Sequence, residues 1–412
     1  MIVKNLPQRD IRWYSDIVGE DEVNRVLELA DNIKSYSITH VNSTSFGGGV
    51  AELLQSLIPL FKSLGINAMW EVIEAPQEFF KVTKKIHNAL QGKELTLKAE
   101  EWSLYLNVNK ENAEKILKLN SEVIIVHDPQ PLPIRRFSID ERLWIWRCHI
   151  DLSNPYKHVF SMILDLLKDY DASIYHMREF IHPQIPTPKK YVMPPSIDPL
   201  SDKNKHISES IIERIVSKYG VSPDNPIILQ VSRYDPWKDP FSVIDVYRLI
   251  KKKIPNVQLV LIGALAHDDP EGLTYYEMVK KYASNDRDIY ILTNMDGVGA
   301  LEVNAFQRAA TVILQMSIKE GFGLSVTEAL WKGKPVVARP SGGIKLQVID
   351  GVTGFLVRSV SEAYEKTLYL IKNPDVRLRL GRNARVHVLN NFIITKHLIR
   401  YMKILNEVYA KV

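Results

Sequence analysis

Short apolar runs alternate with amphipathic stretches along nearly the whole chain. In the first half, 36–41, 68–73, 122–126, 143–149, 172–175 and 191–193 read as strands, with helical patterns over 50–64, 76–90, 111–119 and 157–168 between them. The second half repeats the rhythm, with strands predicted over 227–231, 258–262, 289–292, 311–315, 335–338 and 355–357. Strands that alternate with helices are the mark of parallel α/β sheets, because parallel neighbours need a crossover between them. The expected fold class is therefore α/β.

The rhythm breaks at Met193-Pro-Pro-Ser-Ile-Asp-Pro-Leu-Ser-Asp-Lys-Asn-Lys205. Three prolines in a polar stretch oppose helix and central strand alike, so a linker is expected there. It divides the chain into 1–198 and 199–392. A last helix is predicted over 395–409, with Leu398, Met402, Leu405 and Val408 on one apolar stripe. No short solenoid repeat and no low-complexity tract is present.

Composition narrows the classes. A chain of 412 residues, 45% hydrophobic and 25% charged, is long enough for two domains with substantial cores. The net charge of +5 is small for this length, and the runs Lys84-Lys85, Lys251-Lys-Lys253 and Lys280-Lys281 read as solvated faces. No nucleic-acid partner is expected. Cys148, the single cysteine, excludes an internal disulfide framework and a cysteine-based zinc cluster. Its apolar run Leu143-Trp-Ile-Trp-Arg-Cys148 favours a buried thiol over a nucleophile. No run approaches the ~20 apolar residues that cross a bilayer, and Met1-Ile-Val-Lys-Asn-Leu-Pro7 lacks the apolar core of a signal peptide. A cytoplasmic protein without a membrane partner is expected.

The chemistry concentrates in Ser317-Ile-Lys-Glu-Gly-Phe-Gly-Leu-Ser-Val-Thr-Glu328. The apolar run Ala310-Thr-Val-Ile-Leu-Gln-Met316 before it reads as a buried strand, and a helix is predicted from Gly323 to about Trp331-Lys-Gly333. The backbone N–H groups of Gly321, Phe322, Gly323 and Leu324 then lie at a helix N-terminus, which attracts anions. Glu320 stands at the mouth of that site and Glu328, a little over two turns on, behind it. A carboxylate repels phosphate but accepts hydrogen bonds from diols, so a ribose and a hexose flanking a diphosphate would suit both glutamates. Taken alone, such a pair reads by default as a solvated helix face. Arg233 and Lys238, in Leu229-Gln-Val-Ser-Arg-Tyr-Asp-Pro-Trp-Lys-Asp-Pro240, again follow a strand. Arg233 can grip phosphate oxygens in a bidentate way, while Lys238 supplies a compact point charge.

Other loops follow strands in the same manner. Gly263 ends Leu259-Val-Leu-Ile262, Asn294-Met-Asp-Gly297 could frame a base, and Ser341-Gly-Gly343 allows close backbone approach. Val41-Asn-Ser-Thr-Ser-Phe-Gly-Gly-Gly-Val50 offers Gly48 and Gly49 to a phosphate or sugar but lacks the Gly-Lys-Ser ending of a P-loop. His127-Asp-Pro-Gln130 and Arg147-Cys-His-Ile-Asp151 end two further strands, where histidines are either structural or catalytic.

Together these segments, with Gly351-Val-Thr-Gly-Phe-Leu-Val357, resemble the retaining nucleotide-sugar glycosyltransferases of the two-domain GT-B fold, in the family of sucrose, glycogen and trehalose synthases. The resemblance implies two Rossmann-like domains with parallel sheets facing each other across a cleft. The first would bind the acceptor and the second the donor, with the last helix, 393–412, crossing back onto the first. It gives Arg233 and Lys238 the diphosphate, Glu328 the ribose diol, Glu320 the hydroxyls of the transferred sugar, and His149 a place beside the anomeric carbon. His127, Asp128, Gln130, Arg147 and Asp151 become acceptor contacts. The segments around His127 and His149, with Pro194-Pro-Ser-Ile-Asp-Pro199 and Asp268-Asp-Pro-Glu-Gly272, look most like the trehalose synthase branch, which joins glucose from a nucleoside diphosphate to free glucose. Trehalose phosphorylase, a family member with another sugar acceptor and a non-catalytic nucleotide-sugar sensor are the alternatives. One departure stands out: family members often follow the glycine pair with Ile-Pro-Glu, where this chain has Ile344-Lys-Leu-Gln347. Asp268-Asp269 could suggest a metal. The fold usually holds diphosphate with cations and helix dipoles, so no metal or other cofactor is expected beyond the co-substrate. The resemblance is compatible with a homodimer.

Overall fold

The computed structural model of the chain describes residues 1–46, 48–265, 270–284 and 286–409, without the side chains of 270 and 271. It forms two compact units, Met1–Ser196 with Ile394–Val412, and Ile197–Ile393. Among the described residues each unit is built on a six-stranded, wholly parallel sheet. The first contains β1 Ser37–Asn42, β2 Asn67–Val72, β3 Val123–His127, β4 Leu143–Arg147, β5 Ala172–Tyr175 and β6 Lys189–Val192, in the order β2-β1-β3-β4-β5-β6. The second contains β7 Ile227–Val231, β8 Gln258–Gly263, β9 Ile289–Thr293, β10 Val312–Gln315, β11 Val336–Ala338 and β12 Gly354–Leu356, in the order β12-β11-β10-β7-β8-β9.

Helices cover both faces of such sheets, so their strands carry apolar residues at successive positions. Val123-Ile-Ile-Val-His127 and Gln258-Leu-Val-Leu-Ile-Gly263 are buried throughout. All the expected strands are present, with ends displaced by a residue or two. The run read as a strand over 143–149 leaves the sheet at Arg147. There the side chain of Asp128 takes over the backbone N–H of His149 at 2.7 Å.

Two helical regions differ from expectation. The helix read over 111–119 is the second half of Ala99–Leu117. Its first turn is fixed by Glu101, whose carboxylate accepts from Lys98 N at 3.0 Å, and its buried face includes Asn109 and Asn112. These asparagines bind backbone groups of Gln130 and Glu74, so the helix buries polar side chains that an apolar pattern does not count. Before residue 36, the helix Glu20–Asp31 buries only Val23, Val26 and Ala30. The last helix, Ile394–Tyr409, packs against it and buries Leu398, Met402, Leu405 and Val408. Lys396 and Thr395 bond Glu22, while the Tyr409 ring stacks 3.8 Å from that of Tyr36.

The chain order creates one switch point in each sheet. From β1 the chain moves to β2 on one side and returns to β3 on the other; from β7 it moves through β8 and β9, then returns to β10. Connections leave in opposite directions between β1 and β3 and between β7 and β10. The loops part there, and ligands of open α/β sheets bind in such crevices at the carboxyl ends of strands.

Candidate active site

In the second unit the loops after β7 and β10 flank the switch point. Lys238 Nζ donates to Glu320 Oε2 at 2.6 Å, with side chains 12% and 13% exposed. Ser317 Oγ donates to the same oxygen at 3.3 Å. Lys238 ends the short turn Pro236–Lys238, capped by Asp235, and Gln230 Nε2 donates to its carbonyl at 2.9 Å. Asp239 follows in the left-handed region (φ 46°) and caps the helix Pro240–Lys251. Lys238 is thus fixed from both directions. Arg233 is different: 66% exposed, with Asp235 3.2 Å away, it stands at the surface of the same loop.

The glycines after Glu320 shape its neighbour. Gly323 has φ 84°, and a Cβ there would lie 3.2 Å from Glu320 Cγ. The left-handed turn sets the carboxylate against the start of the helix Leu324–Trp331, whose first N–H groups lack intrahelical acceptors. Phe322 is buried, its ring 5.5 Å from that of Phe392 and pressed against Gly343, where a Cβ would approach it to 2.6 Å. Gln347, in the segment that departs from the family pattern, donates to Phe322 O and accepts from Thr327 Oγ1 at 2.6 Å. Its amide pins the glycine turn to the helix that follows. Gly321 and Leu324 complete the turn, half-buried.

Glu328 lies inside, 3% exposed, with Lys203 Nζ 3.6 Å from its carboxylate. One turn on, the buried Lys332 donates to Gln307 Oε1 at 2.8 Å, Asn204 Oδ1 at 3.0 Å and Glu328 O at 3.2 Å. Burial pushes the Lys332 amine below its ordinary pKa, against the pull of Glu328. Three acceptors around Nζ match the three N–H bonds of an ammonium. Sequence reasoning missed both lysines. Lys203 comes from the proline-rich segment and Lys332 carries no motif, although its spacing of four from Glu328 is a usable signal.

The remaining donor candidates divide. Gly263 is a packing glycine rather than an open backbone surface: a Cβ would lie 2.5 Å from Ser232 O and 2.6 Å from the Tyr234 ring. Asn294 is exposed, but its amide clasps Leu265, accepting from the N–H at 2.8 Å and donating to the carbonyl at 3.1 Å. In the first unit Gly48 (φ 92°) precedes the helix Gly49–Ser63 with open space around it. Gly47 and the Asp268-Asp269 pair lie outside the described residues.

The first unit's chemistry gathers on four neighbouring strands. His40 on β1, His127 at the end of β3, and His149 and His176 just beyond β4 and β5 form a continuous row. His40 Nδ1 is 2.9 Å from His127 Nε2, His127 Nδ1 is 2.9 Å from His149 Nε2, and His149 Nδ1 is 3.1 Å from His176 Nε2. Adjacent strands lie about 4.8 Å apart, and the successive ring centroids are 5.2, 5.2 and 5.1 Å apart. The sheet itself sets the spacing.

Two acceptor candidates, His127 and Arg147, are buried, at 1% and 0% exposure. Arg147 stands 5.4 Å over the Tyr401 ring. Asp128, half-buried at φ 63°, holds the His149 N–H. Burial lifts its pKa to about 7, against that hydrogen bond and Arg147. Gln130 is half-buried, its Oε1 lacking a hydrogen-bond partner among the described residues, while Asp151 accepts from Ser153 N at 2.8 Å. Cys148 is buried and burial pushes its thiol up, away from nucleophilic use.

Two parallel α/β units, one carrying cations and carboxylates at its switch point, define a glycosyltransferase of the GT-B fold. An alpha,alpha-trehalose-phosphate synthase (UDP-forming) from Burkholderia vietnamiensis shares the fold, with a TM-score of 0.71 at 15% identity over 92% of this chain and all of that one. Residues 40–182 match the family "Trehalose synthase, N-terminal domain" and residues 211–387 match "Glycosyl transferases group 1". The chain is 53% identical to a trehalose synthase of Pyrococcus horikoshii over 97% of both proteins. A trehalose phosphorylase of Grifola frondosa is 29% identical over 92% of this chain and 58% of its own length. The chain belongs to the trehalose synthase family of glycosyltransferases. Among the described residues no helix is long and apolar enough to cross a membrane.

Proposed function

We propose that the protein makes trehalose by transferring glucose, with retention, from a nucleoside-diphosphate glucose to free glucose. The observation that carries this reading is the Lys238–Glu320 pair at the second switch point, beside the helix start at Gly323. The bond from the anomeric carbon to the diphosphate oxygen breaks as the acceptor oxygen bonds to that carbon. The acceptor's proton passes to the departing diphosphate. Lys238 and Arg233 stabilise the charge that develops on the leaving group. Glu320 holds hydroxyls of the transferred glucose, and Glu328 accepts from the ribose diol. A ribose contact has no task in a phosphorylase, which supports the nucleotide donor. Asp128, Gln130 and Asp151 orient the acceptor beside His149. No cofactor is needed beyond the co-substrate.

The test is a panel of donors and acceptors, with inorganic phosphate as one co-substrate, followed by carbon NMR of the product from labelled glucose. An α,α-linked disaccharide of two glucoses is expected from a nucleotide donor. A β linkage would overturn retention. An α linkage to another hydroxyl or acceptor would overturn trehalose synthesis, and turnover requiring phosphate and glucose 1-phosphate would overturn the donor.

A further inference from the structure

We propose that the row His40–His127–His149–His176 fixes the tautomer and orientation of the His149 ring, making His149 a positioning group rather than an acid or base. The inference rests on the reading that His149 lies beside the reacting sugar. Its geometric basis is that both ring nitrogens of His149 are already engaged, Nε2 with His127 and Nδ1 with His176. A general base needs a free nitrogen within hydrogen-bond reach of the proton it takes.

A row of neutral imidazoles has two self-consistent arrangements, with every proton on Nδ1 or every proton on Nε2. The row ends at His40 Nε2 on one side and at His176 Nδ1 on the other. Whichever arrangement holds, one tautomer runs through every ring, so the His149 proton is set by its neighbours. The surroundings keep the rings neutral. Arg147 from β4 faces the row, His397 and Tyr401 approach from the last helix, and Asp128 binds the His149 backbone. Burial, reinforced by Arg147, holds His40 down to about 3 and His127 and His149 well below the ordinary imidazole value. Among the described residues no group of three or more His, Cys, Asp or Glu side chains is arranged to hold a metal, so ligation does not explain the row.

The experiment is nitrogen-15 NMR of histidine-labelled protein from pH 5 to 9, alongside transfer kinetics. His149 should remain neutral, in a single tautomer. His40→Leu, which removes the end ring, should mix the His149 tautomers and lower kcat by about tenfold, with donor binding unchanged. His40→Asn keeps an amide near the Nδ1 position and should restore most of both. A His149 ring that titrates between pH 5 and 8 would overturn the proposal. So would a folded His40→Leu protein whose His149 signals match those of the unsubstituted protein. The NMR arm reads the row even if the donor and acceptor assigned above prove wrong, so the two readings fail separately.

Discussion

Replacing Lys238 with alanine tests the second-unit site directly. The ammonium lies 2.6 Å from Glu320, and both side chains are mostly shielded from water. At an effective dielectric near 20, a unit charge ~4 Å from another contributes about 4 kcal/mol. Removing one preorganised donor to a developing negative charge typically costs about 2.7–4 kcal/mol. The two routes agree, so Lys238→Ala should lower kcat by about a hundred- to a thousandfold. The same change leaves Glu320 with the Ser317 hydroxyl at 3.3 Å. A shielded carboxylate deprived of its partner should cost about 1–3 kcal/mol of stability. Adding Glu320→Gln removes the stranded charge, so the double variant should recover most of that stability but none of the activity. Initial rates at saturating nucleoside-diphosphate glucose and urea unfolding of the parent, the two single variants Lys238→Ala and Glu320→Gln, and the double variant measure both effects. A folded Lys238→Ala protein with kcat within about threefold of the parent would refute the assignment.

Three further predictions address other residues. Glu328→Ala should weaken binding of free nucleoside diphosphate, and Glu320→Ala should mainly slow transfer; calorimetry beside steady-state kinetics distinguishes them, and the opposite pattern reverses the roles. Asp128 has its pKa raised from 3.8 to about 7, so the folded state binds more protons than the unfolded state in between. Its contribution to stability is full below pH 3.8 and is lost as pH rises through about 7. Asp128→Asn, which tolerates the left-handed backbone, should abolish that part of the slope in urea unfolding across the same window. Gly263→Ala places a Cβ 2.5 Å from Ser232 O and should destabilise by about 1–3 kcal/mol in the same assay.

The strands were legible because parallel sheets bury successive residues, and runs such as Val123–His127 announce this without tertiary information. The Lys238–Glu320 neighbourhood was legible for a related reason: both residues lie in short segments just beyond strands. The helix Ala99–Leu117 was only half visible because Asn109 and Asn112 occupy its buried face. Lys203 was hidden because it reaches Glu328 from the distant proline-rich segment, and Lys332, only four residues from Glu328, because it carries no motif. Seeing the histidine row requires the strand order β1-β3-β4-β5, which is a property of pairing rather than of local pattern. In hindsight the signal was a histidine near the carboxyl end of each of these strands.

Arg147 gives the first unit an engineering dilemma. A guanidinium shut away over the Tyr401 ring, and not in an ion pair with a carboxylate among the described residues, is an expensive occupant of a protein interior. An apolar side chain of similar length would pack the same space at lower cost, and a screen for heat resistance would favour it. That variant would also remove the cation facing four imidazoles. Resistance to heat and rate of transfer therefore pull against each other at this residue, and a hardened version selected without an activity screen is expected to lose Arg147 early.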